Sequence, residues 1–195
     1  MKASSNLTPR PVSPPKPCTR VLAWAVVAWC LAFAAVNLFY EASDHFARGA
    51  YAQDASGISI MSWLVVALKV LGAAVALLTV TDRWPGVSTN LRTVLVWGAF
   101  ALLGLYSVGN VVIAVGLALG LTGSREEITA KGIAYVAFFL AGAAAYGALA
   151  LSFSRRSGAP RRYALLGIAG APLLLAAILA AVPALLSALG LLPKS

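Results

Sequence analysis

Residues 58–80 read ISIMSWLVVALKVLGAAVALLTV, apolar throughout except for Ser59, Ser62, Thr79 and Lys69. Twenty-three such residues exceed the ~20 that an α-helix needs to cross the hydrocarbon of a bilayer. Lys69 falls near the middle, the depth at which a charge costs most. This stretch sets the reading of its neighbours, because four more runs of the same kind surround it.

The first is 21–40, uncharged over its whole length. The others are about 93–121, 132–154 and 163–193, the last interrupted by Pro172 and Pro183. Proline is tolerated in membrane helices, so one kinked span is the simplest reading of that fifth run. The fold expected is therefore all-α, an integral membrane bundle of five transmembrane helices over residues 21–193. Residues 1–20 hold five of the ten prolines together with Lys2, Arg10, Lys16 and Arg20, and read as a disordered basic tail that includes Cys18. A basic start before an apolar run also describes a signal peptide, and Ala32-Phe33-Ala34 imitates a cleavage site. The run is longer than an h-region of ~7–15 residues, which favours an uncleaved helix.

Composition agrees. Of 195 residues, 61% are hydrophobic and 11% charged, against roughly 25% charged in soluble domains. A water-soluble fold could not hide this much apolar surface. The net charge of +9 does not point to nucleic acid, because the basic residues sit at the ends of apolar runs. There, topology and anionic headgroups explain them. Alternating the loops across five spans gives ten basic residues on one face and four on the other, with Lys69 inside. The positive-inside rule then predicts a cytoplasmic N-terminus and an outside C-terminus, in a multi-pass protein of the cell (inner) membrane.

Few polar residues need a special reason. Lys69 lies about 11 residues, or roughly 17 Å, from the outer end of its span. Its stem is too short to snorkel that far, so it is expected to face the bundle interior or a wet cavity. No carboxylate lies within any apolar run. Asn37 in the first span and Asn110 in the third are the better-placed polar partners. A lysine held neutral by packing, a lysine facing a ligand or relaying protons, and a span whose ends lie elsewhere than the apolar run suggests are the three readings of it.

Asn37, Glu41, Asp44, His45 and Arg48 recur at spacings of three and four, so a continued helix places them on one face. Glu41 and Asp44 at a partly desolvated rim are the candidate catalytic acids if the protein is an enzyme; an ordinary solvated helix end is the plainer reading. Tyr135, Phe139, Gly142 and Tyr146 share a face of the fourth span. Tyr106, Ser107 and Asn110 form a polar-aromatic patch on the third. Such faces line pockets for greasy ligands or serve helix packing. Gly116-Leu-Ala-Leu-Gly120 is a GxxxG that permits close helix approach. Two cysteines and one histidine supply no metal set, and no cofactor fingerprint is present.

Residues 28–40, AWCLAFAAVNLFY, resemble the opening helix of small actinobacterial multi-span membrane proteins of unassigned function, and residues 102–111, LLGLYSVGNV, are similar to their third helix. The resemblance implies a helical membrane protein and no particular activity. In size and span number the chain also resembles small bacterial integral-membrane terpene cyclases. That likeness implies an acid-initiated reaction on an isoprenoid or lipid, with Glu41 or Asp44 as the acid. The main reading is a non-enzymatic protein that binds membrane lipids, other membrane helices or a hydrophobic small molecule. A transporter component is the weakest alternative, since no inverted repeat is visible.

Overall fold

The computed structural model describes residues 12–43, 55–81, 84, 86–121 and 128–188. The expected catalytic residue Asp44, with His45 and Arg48, lies outside them, as do residues 1–11 of the tail.

Each apolar run forms one helix: α1 (Pro17–Ala42), α2 (Ala55–Leu78), α3 (Thr89–Ala118), α4 (Ala130–Ser157) and α5 (Arg161–Ala188). All five are long and apolar enough to span a membrane. Every helix starts before its apolar run, because capping chemistry lies just outside the hydrophobic stretch. Pro17 occupies the first turn of α1, where its missing N–H costs nothing. Residues 17–20 are therefore helical rather than part of the tail, and Cys18 sits on α1. The Ser88 side chain accepts from the Leu91 N–H at 3.2 Å and starts α3. Thr129 does the same for Gly132 at 3.1 Å and starts α4. Gly158 ends α4 at a φ of 62°, a left-handed conformation that glycine adopts without strain. The fifth run is one helix, continuous through Pro172 and Pro183.

Helices α1, α2, α3 and α4 close a ring: α1 packs on α2, α2 on α3, α3 on α4, and α4 on α1. The α2–α3 seam is the loosest of the strong contacts, and α5 packs against α3. Gly98 and Gly167 make the α3–α5 approach possible. A Cβ at Gly167 would stand 2.9 Å from the Trp97 Cβ and 3.0 Å from the Gly98 nitrogen, and one at Gly98 would stand 2.9 Å from the Ala171 Cβ. The GxxxG of the third run plays no such part at its second glycine. Gly120 lies past the end of α3 at a φ of 70°, and a Cβ there meets nothing.

Close packing is concentrated at one end of the ring, where Ala23, Ala76, Val96, Leu149 and Phe153 are buried together. The basic side chains of Lys16, Arg20, Arg92, Arg155, Arg156, Arg161 and Arg162 belong to this same end, at the starts of α1, α3 and α5 and the end of α4. Two of them hold the end of α2. Arg92 donates to the carbonyls of Leu78, Thr81, Trp84 and Val87, and Arg156 donates to that of Thr79 at 2.8 Å. Those of Leu78, Thr79 and Thr81 lie at or just past the last turn of α2, where a helix leaves its carbonyls unpaired, and a guanidinium fork suits them. The outside of the bundle is apolar: Leu105, Ile113, Leu165 and Leu173 all stand exposed. Lipid, not water, is the solvent that such a surface requires.

Candidate functional site

Away from the tightly packed end the bundle opens into a cavity of about 640 Å³. All five helices line it. Its back wall comes from α1 and α4. Helices α2 and α5, which do not pack closely on each other, also line it, and their lining residues Leu71, Leu166 and Leu174 are exposed on the outside of the bundle. The opening is therefore lateral, at the depth of the lipid chains. The volume lies within the ~300–1,000 Å³ of small-molecule pockets.

Lys69 stands inside. It is 9% exposed, and its Nζ lies 3.8 Å from the Trp29 ring centroid, 4.7 Å from that of Phe33 and 4.9 Å from that of Phe139. Helical spacing places Trp29 and Phe33 one turn apart on α1, so both rings face α2. Phe139 arrives from α4 and is the hub of the aromatic group. It meets Phe33 edge-on at 5.4 Å, Tyr106 at 4.8 Å and Tyr135 at 4.7 Å. A ring face carries the negative end of a quadrupole and attracts a cation within ~6 Å. Three faces thus hold the ammonium, which has no hydrogen bond or ion pair among the described residues.

Asn37 and Asn110 were the expected polar partners of Lys69, and neither fills that role. Each Nδ2 donates to the carbonyl four residues back in its own helix, Phe33 at 2.9 Å and Tyr106 at 2.8 Å. Back-bonding of this kind satisfies a short amide locally in an apolar setting, so it does not reach across to another helix. Asn37 still lines the cavity. Asn110 lines a separate cleft of about 420 Å³ between α3 and α4.

The expected aromatic residues converge from different helices. Tyr106 of α3 and Tyr135 of α4 share a hydrogen bond between their hydroxyls at the cavity wall. Tyr146, about three turns further along α4, shares one with the Cys30 thiol at 3.3 Å. Both lie against Gly72 of α2, where a Cβ would stand 2.6 Å from the Tyr146 hydroxyl oxygen. Gly142 accepts the Trp29 ring, whose edge would lie 2.9 Å from a Cβ there. The α4 face read from the sequence is therefore both a packing surface against α1 and a wall of the cavity.

Glu41 stands elsewhere. The Ser59 hydroxyl of α2 donates to its Oε1, its Oε2 is buried without a hydrogen-bond partner, and it is not part of the cavity lining. Trp29 and Phe33 are the functional-site residues that sequence reasoning missed as partners of Lys69. The available signal was their four-residue spacing beside Cys30 in a span that must face the lysine's helix. No protein family, curated protein or solved structure matches the chain.

Proposed function

We propose that this protein is a multi-pass protein of the bacterial inner membrane that takes a lipid or other hydrophobic small molecule into its lateral cavity. The single observation that carries the reading is the cavity itself. It opens between α2 and α5 through an exposed leucine mouth, has space for a drug-sized or acyl-chain ligand, and is walled by apolar and aromatic side chains. A molecule dissolved in the bilayer reaches such a mouth without crossing water.

The orientation belongs to this reading as well. The cluster of arginines at the tightly packed end is what the positive-inside rule expects of a cytoplasmic end, and it supports the reading of an N-terminus inside and a C-terminus outside. Membership among small actinobacterial multi-span proteins is part of the same proposal, on the sequence of 28–40 and 102–111. The acid-initiated enzyme draws no support from Glu41, whose carboxylate is engaged by Ser59 outside the cavity.

The test is to fill the cavity. Leu102 and Leu175 line it from α3 and α5. The protein purified in mild detergent is expected to carry a lipid or apolar molecule, detected by mass spectrometry of its extract, that folded Leu102→Trp and Leu175→Trp variants lose. Identical extracts from the unmodified and the filled proteins would remove the proposal.

A further inference from the structure

The cavity contains one formal charge, that of Lys69, and no carboxylate among its lining residues. The charge is 9% exposed and aimed into the cavity. Its aromatic neighbours offer quadrupole attraction but no hydrogen-bond acceptor, so its three N–H donors lack oxygen partners among the described residues. An ionic group buried in this way is strongly favoured by an opposite charge brought to it, because the unpaired donors otherwise remain desolvated.

Position narrows what that opposite charge can be. Lys69 lies nine residues before the end of α2, or about 14 Å along the axis, and further from the start. A phospholipid whose headgroup stays in the interfacial layer does not place a phosphate at that depth. A single-headed molecule that enters whole does. Around the ammonium the wall is made by the rings of Trp29, Phe33 and Phe139, and a carboxylate, one charge shared by two oxygens, matches its single charge. The rest of the lining is leucine, valine, isoleucine, glycine and alanine from α2, α3 and α5, with Cys30, Asn37, Tyr106, Tyr135 and Tyr146 as its other polar side chains, and its mouth is toward the lipid chains.

We infer that the cavity binds a long-chain amphiphile ending in a carboxylate, with the carboxylate on the Lys69 ammonium and the hydrocarbon tail running along α2 and α3 toward the leucine mouth. This rests on the lateral-cavity reading above and adds the ligand's charge to it.

Palmitic acid and methyl palmitate separate the two levels. They share a tail and differ in charge. The detergent-purified full chain at neutral pH is expected to bind radiolabelled palmitic acid about tenfold more tightly than the ester. Lys69→Met, a side chain of similar length without charge, is expected to bring the two affinities together by weakening only the acid. Lys69→Arg is expected to keep a preference for the acid. Equal affinities in the unmodified protein would overturn the carboxylate assignment and leave the lateral cavity standing. A preference for the acid that persists in folded Lys69→Met would overturn it too, by placing the charge recognition elsewhere. Binding of neither probe would overturn both. The first comparison needs no variant, so it decides the matter even if Lys69→Met does not fold.

Discussion

The Lys69 ammonium sits over the Trp29 indole, 3.8 Å from its centroid, and joins the second span to the first at mid-depth. Desolvated cation–π pairs contribute up to ~2 kcal/mol. In a double-mutant cycle of Lys69→Met and Trp29→Leu, unfolding in detergent is expected to show a coupling of about 1–2 kcal/mol. The Lys69→Met protein is expected to assemble, since methionine fills the same space and removes a buried charge. Additive single effects would show that the two side chains are neighbours without energetic connection.

Gly72 leaves room for the Tyr146 hydroxyl and no more. Gly72→Ala is expected to destabilise the protein by about 1–3 kcal/mol, the usual cost of overpacking. The atom in the way is the Tyr146 oxygen, with the ring carbon behind it at an ordinary 3.7 Å. Tyr146→Phe deletes that oxygen. Thermal unfolding of the Gly72→Ala/Tyr146→Phe double variant is therefore predicted to recover most of the loss. A double variant weaker than Gly72→Ala alone would contradict this account.

Two glycines on α5 make opposite predictions. Gly167 touches the backbone of α3, and a Cβ there would also meet Trp97. Gly170 has nothing within 4 Å of a Cβ. Small residues at helix contacts are what let membrane helices approach closely. Gly167→Ala is expected to lower the unfolding temperature in detergent clearly, while Gly170→Ala leaves it the same or slightly higher, as removal of a helical glycine does. Equal responses would mean that α5 does not lie on α3 as described.

The two thiols report topology. Cys18 is exposed at the start of α1 and Cys30 is buried beside Tyr146. A membrane-impermeant maleimide is expected to leave both unmodified in intact cells and to modify Cys18 alone in inverted vesicles. Modification of Cys18 from outside the cell would reverse the orientation.

The five helices were legible from the sequence because hydrocarbon demands long, internally hydrogen-bonded segments, and only runs such as 58–80 satisfy it. Lys69 was legible as an oddity for the same reason: a charge in such a run has nowhere to go but inward. Its surroundings were not. Alanine and leucine occur in every span and glycine in four of the five, so the residues themselves do not say which faces meet. The GxxxG at Gly116–Gly120 looked like a crossing, yet the close approach is at Gly98 and Gly167, separated by 69 positions in the chain. Asn37 and Asn110 looked like partners for a buried ammonium, yet each amide was satisfied within its own helix. The chain by itself determined the solvent, the number of rods and the one costly charge, because those follow from the transfer of single residues into oil. Only the tertiary structure decided that Trp29, Phe33 and Phe139 enclose that charge and that α2 and α5 stand apart, because both depend on how three or more helices share small contacts.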